Sequence, residues 1–224
     1  MSWLEDTDFV ATVPGQVYDT AIMPDGDPRA IRTVKSIQDT AVHLLETEGW
    51  DALQVKGICR RAGISRSTFY QHFQEPWQPV ARHLQEAFAR EFPAVLDGTA
   101  RLEPEELLLS GKPLSFPFFA HLETNRSVYV PVFFDLRGGM IRQYLLEQVT
   151  QLSRAHHEPL RRISAGGVNA DLVARFLSGA LVATAGWWIL QDPRDTPAQM
   201  AYWFSRIAAP GVLQTMGLES LLDG

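Results

Sequence analysis

The chain has 224 residues, of which 46% are apolar, and it carries 20 Lys and Arg residues against 26 Asp and Glu residues. This length allows one large domain or a small domain joined to a larger one, and the apolar share is that of a globular protein with a buried core. A single cysteine, Cys59, excludes an intramolecular disulfide framework and favours a reducing compartment. The first residues lack the basic stretch and apolar run of a secretory signal, so we expect a cytoplasmic protein.

The charge is distributed unevenly along the chain. Residues 1–28 contain six acids, no base, and five Pro and Gly residues, which is typical of a flexible or loosely attached arm. Residues 29–90 contain nine bases and six acids, and residues 55–74 contain four bases and no acid. A chain with a net charge of −6 can therefore carry a locally basic face, and the local field governs docking on DNA.

Two helices are predicted after the arm. Apolar residues at helical spacing indicate a first helix from near Ala30 to Gly49, and a second, shorter helix over 55–61. Cys59 lies on the apolar stripe of the second helix, which favours a small core residue over a reactive thiol. Gly63 then permits a tight turn.

A third helix begins after Ser65, whose hydroxyl is suited to cap it. Ile64 and Phe69 have the spacing of a hydrophobic staple, and Phe69 and Phe73 are four residues apart and predicted to point inward. Two short helices joined by a glycine turn form a helix-turn-helix pattern.

Further helical patterns cover about 79–92, 114–123, 127–136, 141–157, 171–191 and 197–209. Thr196 and Gln199 have the spacing of a capping box at the start of the last helix. No strand pattern appears, so we predict an all-α chain. Its parts are an acidic arm (1–28), a helix-turn-helix domain (29–77) and a C-terminal regulatory domain (78–224). The apolar stretch 176–190 is shorter than the ~20 residues that span a bilayer, which favours a core or interface helix.

The segment ICRRAGISRSTFYQHF, residues 58–73, resembles the DNA-binding signature of the tetracycline-repressor (TetR/AcrR) family. The preceding helix, with Gly49 and Trp50 after it, is similar to that family's first helix. The pattern from Phe176 through Leu190 resembles a common C-terminal regulatory type. The resemblance implies a three-helix DNA-binding domain followed by a helical ligand-binding and dimerisation domain. It also implies a homodimeric transcriptional regulator, usually a repressor, that a small molecule releases from a palindromic operator.

The resemblance also implies DNA contacts, which the chemistry of the residues supports. Arg66 can donate two hydrogen bonds to guanine, while Tyr70 and His72 can donate to phosphate. Gln71 suits adenine but also suits a solvated helix face. The predicted DNA-binding residues are Lys56, Ser65, Arg66, Ser67, Thr68, Tyr70, Gln71 and His72.

Three positions depart from the family pattern. Pro76 replaces a lysine that usually contacts phosphate, which removes one contact and leaves open how the fourth helix begins. Gln54 is a poorer cap for the second helix than the usual Thr or Ser. Gly57 replaces a helix former, at a cost of ~1 kcal/mol relative to alanine.

The segment 172–190 carries two apolar stripes, one including Phe176 and Trp187 and the other including Leu181 and Trp188. A helix that is apolar on two sides needs two partners, and a second subunit can supply one of them. The alternative is that this helix and the last one pack within one subunit. The predicted dimer contacts are Phe176, Ala180, Ala183, Trp188, Trp203 and Phe204.

An aromatic-rich stretch in the centre of the chain suggests an apolar pocket for an unidentified apolar or aromatic ligand. His121 suits either a ligand contact or a satisfied core histidine. The predicted ligand-binding residues are Phe116, Phe119, His121, Tyr129, Phe133 and Trp187.

No catalytic motif, zinc motif or phosphate-binding loop occurs, so we expect neither an enzyme nor a bound cofactor. A helical adaptor that keeps the helix-turn-helix but binds DNA weakly remains the second hypothesis.

Overall fold

A computed structural model describes residues 27–91, 115–163, 169–192, 194–215 and 217. Within these ranges the chain is all-α, as predicted, with no strand. The predicted arm, 1–28, lies outside the described residues except for its last two. The helices are α1 (Pro28–Glu48), α2 (Val55–Ala62), α3 (Arg66–Tyr70), α4 (Gln78–Glu91), α5 (Ser115–Thr124), α6 (Arg126–Phe134), α7 (Gly139–Ile163), α8 (Ala170–Ile189) and α9 (Pro197–Thr215). A 3-10 turn, Leu136–Gly138, joins α6 to α7.

Local sequence signals set the first three helices. Asp27 caps α1 by accepting from the Arg29 N–H at 2.8 Å, and Pro28 occupies the first turn. Gly63 ends α2 in the left-handed conformation (φ 66°), as its predicted turn requires. Gln54 makes no side-chain cap bond, in line with its poor capping chemistry.

The presence of glycine at position 57 has a steric reason that the sequence does not reveal. A Cβ at this position would lie 2.7 Å from the Ala52 carbonyl oxygen, so any side chain would push α2 away from the preceding turn. The lower helix propensity of glycine is therefore offset by close packing of α2 on the α1–α2 loop.

The start of α4 shows how the chain accommodates Pro76. The side chain of Gln78 is buried, and its Oε1 accepts from the backbone N–H groups of Gln74 at 2.6 Å and Glu75 at 3.1 Å. Proline has no N–H to donate. The Gln78 amide oxygen instead holds Gln74 and Glu75, the two residues that precede Pro76. The helix then begins at Gln78, one residue before the predicted start.

In the C-terminal part, α8 packs most extensively on α7, and α9 packs on α5. Thr196 and Gln199 form the predicted capping box, with the Thr196 N–H donating to Gln199 Oε1 at 2.8 Å and the Gln199 N–H to Thr196 Oγ1 at 3.3 Å. The predicted end of α9 at 209 was too early. The helix continues through Pro210, which lies on the exposed side and removes one intrahelical hydrogen bond.

Within the described residues, the segment Asp171–Ile189 in α8 is long and apolar enough to cross a membrane by length and composition alone. One face of α8 is nevertheless packed inside the protein, including Ala174, Ser178 and Ala185, each of which is fully buried. This pattern is that of a core helix in a helical domain.

Candidate DNA-binding surface, ligand cavity and dimer face

The helix-turn-helix exposes the residues that the sequence assigned to DNA. Lys56, Arg66, Tyr70 and Gln71 are exposed, as are Ser65 and Ser67, while Thr68 and His72 are half-buried. Phe69, fully buried on the opposite side of α3, anchors this surface and places its ring 5.5 Å from that of Tyr70 in an edge-to-face contact. The short helix is therefore fixed by its apolar side and offers its polar side to solvent.

Three hydroxyl groups at the start of α3 form one network. Ser65 Oγ accepts from the Thr68 N–H at 3.0 Å and lies 2.7 Å from Ser67 Oγ and 2.8 Å from Thr68 Oγ1. Ser65 is thus the predicted N-cap, and its bonds hold the first turn in place. A fixed first turn orients Arg66, whose guanidinium is the strongest donor of the surface.

The thiol of Cys59 is not part of this surface. It is buried beneath α3, with its Sγ 3.7 Å from the Ser65 carbonyl oxygen. Because the side chain is only 6% exposed, Cys59 is a small core residue, as predicted, and its burial raises the pKa of the thiol.

A cavity of about 90 Å³ lies between α4, α6 and α7. Its walls are mostly apolar, and the lining residues that carry polar groups are Gln85, Gln148, Tyr129 and Tyr144. Tyr144 has its pKa raised to about 12, chiefly by burial, so its phenol is neutral. None of the described residues that line the cavity is charged. The walls are Ala81, Leu84, Gln85, Phe88, Ala89, Tyr129, Ile141, Tyr144, Leu145, Gln148 and Val149.

Of the six predicted ligand residues, only Tyr129 lines this cavity. His121 is fully buried behind it, with Nε2 3.0 Å from the Tyr129 hydroxyl and Nδ1 3.2 Å from Asn125 Nδ2. The Asn125 amide donates, so Nδ1 accepts and Nε2 carries the proton toward Tyr129. His121 is therefore a hydrogen-bonded core histidine that orients a cavity residue.

The other predicted ligand residues are located elsewhere. Phe119 is core, 5.4 Å from Trp188 between ring centres. Phe133 rests on Gly186, where a Cβ would lie 2.5 Å from the ring, and Phe116 is partly exposed. The sequence did not single out α4 and α7, although their apolar stripes were visible. Which stripe borders a cavity depends on how distant helices pack.

The outer surface of α8 and α9 carries several large apolar side chains. Phe176 is 63% exposed, Trp187 59% and Trp203 53%, and Ala183 is exposed beside them. The two adjacent tryptophans lie on the opposite sides of α8 from those we predicted: Trp187 is exposed and Trp188 is buried. Trp188, predicted at the dimer interface, is 1% exposed and donates its indole N–H to the Asp195 carbonyl at 2.8 Å. Trp187, predicted at the ligand site, faces outward, because adjacent helical residues point about 100° apart.

Two further predicted dimer residues are intermediate in exposure. Ala180 is half-buried, and Phe204 is half-buried with its ring 6.5 Å from that of Phe119. Phe204 therefore contributes to the subunit core as well as to the surface.

A set of polar contacts joins the last turn of α1 and the α1–α2 loop to α6 and the 3-10 turn. The Trp50 indole donates to the Pro131 carbonyl at 3.0 Å, and Ser127 Oγ donates to Glu46 Oε1 at 2.5 Å. Arg137 pairs with Asp51 at 2.6 Å and with Asp135 at 2.7 Å. The same nine-residue helix, α6, thus carries Tyr129 into the cavity wall and holds the DNA-binding helices.

The described residues thus combine a capped helix-turn-helix, a helical C-terminal part and a small, partly open cavity. Residues 37–75 match the family described as "Bacterial regulatory proteins, tetR family". The match covers most of the helix-turn-helix segment, and the fold of the chain is similar to that of solved structures described as TetR-family transcriptional regulators. No curated protein matches the sequence.

Solved structures with this fold are similar over most of their length. FadR of Thermus thermophilus, a TetR-family transcriptional repressor in complex with lauroyl-CoA, is 19% identical, with a TM-score of 0.63 over 80% of this chain and 95% of FadR. NalD of Pseudomonas aeruginosa, the secondary repressor of the MexAB-OprM multidrug efflux pump, is 20% identical, with a TM-score of 0.53 over 81% and 97%. DhaS, a dihydroxyacetone kinase operon activator, is 16% identical, with a TM-score of 0.53 over 81% and 97%.

Proposed function

We propose that the protein is a homodimeric transcriptional repressor that binds a palindromic operator in the cytoplasm and leaves it when a small molecule binds. The observation that carries the proposal is the polar surface of α3. Ser65 caps this helix, the buried Phe69 fixes it on the core, and Arg66 is exposed in its first turn. Exposed arginine, hydroxyl and phenol groups on one short helix suit base edges and phosphates. We propose no catalytic activity for the chain.

The outer apolar surface of α8 and α9 supports dimerisation. Three large side chains on it, Phe176, Trp187 and Trp203, are each more than half exposed. Exposed aromatic clusters of this kind mark protein interfaces. A second copy of the chain packing on this surface would place two recognition helices on two half-sites, about 34–36 Å apart.

The cavity supports a neutral, largely apolar ligand, because the described residues of its walls include glutamines and tyrosines but no charged side chain. At about 90 Å³ it is smaller than the ~300 Å³ of typical ligand sites, so a ligand of ordinary size must displace wall residues. Displacing Tyr129 would move α6, and α6 holds the α1–α2 loop through the bond from Trp50 to Pro131. We propose this path as the link from ligand to recognition helix.

Selection of bound sequences from a random duplex library tests the repressor's DNA readout. The proposal predicts enrichment of a palindrome with half-sites about one helical turn apart. Arg66→Ala is expected to relax the preference at one base position per half-site, at a cost of ~1–3 kcal/mol, whereas Tyr70→Phe weakens binding to all sequences alike. Enrichment of no motif, or Arg66→Ala with unchanged preference, would contradict the assignment.

The helical adaptor remains a second candidate because of one position. Pro76 stands where the family has a phosphate-binding lysine, which removes one backbone contact per subunit. An adaptor would show no DNA binding even at low salt while still forming the dimer.

A further inference from the structure

Most exposed basic residues of the DNA-binding helices have no acidic partner among the described residues. Lys35 pairs with Asp39, and Arg61 pairs with Glu48. The remaining exposed bases of α1 to α3 form no ion pair with any carboxylate in the described part of the chain; they are Arg29, Arg32, Lys56, Arg60 and Arg66. Five unpaired positive charges on a domain of this size create an anion-binding field.

The segment that precedes α1 carries the opposite charge. Residues 1–26 contain five carboxylates and no base, and Asp27, the sixth acid of the arm, is engaged as the cap of α1. The five acids are Glu5, Asp6, Asp8, Asp19 and Asp25. We propose that this acidic segment docks on the basic face of the helix-turn-helix and competes with DNA for it, so that the chain carries its own inhibitor of DNA binding. The inference rests on the proposed DNA-binding surface.

Distance does not limit this contact. Residues 29–77 form a unit of 49 residues, for which the radius of gyration is about 10 Å. A segment of 26 residues can span up to about 90 Å, so every basic residue of α1 to α3 lies within its reach. Because the segment is attached at Pro28, its local concentration near the surface is of millimolar order, which allows weak ionic contacts to compete.

Each contact is an exposed ion pair and contributes little by itself, but two of the five bases, Lys56 and Arg66, are also residues assigned to DNA. Both contacts are screened by salt. The inhibition is therefore expected to be large at low ionic strength and small at high ionic strength.

The test compares three forms of the protein binding a random-sequence duplex of about 30 base pairs, which reports phosphate contact without requiring the operator. The forms are the full chain, the chain lacking residues 1–26, and a full-length variant with Glu5→Gln, Asp6→Asn, Asp8→Asn, Asp19→Asn and Asp25→Asn. Asp27 is kept in all three, so α1 retains its cap. At about 50 mM salt the deletion and the neutralised variant are expected to bind the duplex about tenfold more tightly than the full chain. At about 300 mM salt the difference in affinity should be less than about twofold.

A synthetic peptide of residues 1–26 separates docking from simple repulsion between the acidic segment and DNA. At about 1 mM it is expected to displace the duplex from the deleted protein and to shift the backbone amide NMR signals of Lys56, Arg60 and Arg66. The same peptide with its five acids as amides should do neither. Equal affinity of the full and deleted chains, or a charged peptide that causes no displacement and no shifts, would overturn the proposal. If no form bound DNA, the DNA-binding function itself would fail, while the NMR titration would still decide whether the segment docks.

Discussion

Removing the Gln78 side chain tests how the chain compensates for Pro76. In Gln78→Ala the N–H groups of Gln74 and Glu75 both lose their acceptor, at 2.6 and 3.1 Å, in a part-buried turn. A hydrogen bond of this kind contributes about 1 kcal/mol, so the free energy of unfolding should fall by about 2 kcal/mol. For a chain of this length that corresponds to a drop in Tm of about 4–8 °C, measured by circular dichroism.

Two variants control this experiment. Gln78→Glu keeps an oxygen acceptor in the same position, at the favourable N-terminal end of α4, and its Tm should stay within about 2 °C of the parent value. Gln85→Ala makes the same change of residue type at an exposed position of α4 and should change the stability by less than about 0.5 kcal/mol. A Gln78→Ala protein as stable as Gln85→Ala would refute the role assigned to the Gln78 amide.

Three other predictions follow from single side chains. Gln38 is 1% exposed and its Nε2 has no hydrogen-bond partner among the described residues, so Gln38→Met should raise the free energy of unfolding by about 1 kcal/mol in urea denaturation; a loss of stability would mean that the amide is satisfied. Phe176→Glu, on the outer surface of α8, should weaken self-association at least ~10-fold in sedimentation equilibrium, and an unchanged dimer would place the interface elsewhere. Arg137 lowers the pKa of Asp135 to about 2, chiefly through its side-chain hydrogen bonds and then its backbone N–H; this stabilisation is present above about pH 4 and is lost as the pH falls toward 2. In Arg137→Gln the Asp135 pKa should rise toward its ordinary value in an NMR titration, and an unmoved pKa would contradict the pairing.

The sequence predicts features that depend on residues close together in the chain. The Ser65 cap, the Gly63 turn and the Thr196 capping box were all expected, because each is a contact between residues no more than four positions apart. Helix types were predicted for the same reason. The largest errors in helix ends are equal: α7 continues to Ile163, past the predicted 157, and α9 continues through Pro210 to Thr215, past the predicted 209.

Features that depend on packing could not be predicted in the same way. The sequence showed two apolar stripes on α8 but not which one faces the core, so the positions of Trp187 and Trp188 were exchanged. The cavity was predicted among the central aromatic residues, but its walls come mainly from α4 and α7. Gln78 escaped notice because glutamine is not a usual capping residue and its bonds run backward to Gln74 and Glu75.

The central claim is that the surface of α3 binds DNA through charge and base contacts. The most direct measurement is the affinity of the purified protein for the DNA upstream of its own gene at a series of salt concentrations. With about three phosphate contacts in each subunit of a dimer, log K should fall with log salt with a slope of about −5. Arg66→Ala should reduce the affinity for that fragment more than for random DNA. Absence of binding at low salt, or binding that does not depend on salt, would contradict the account.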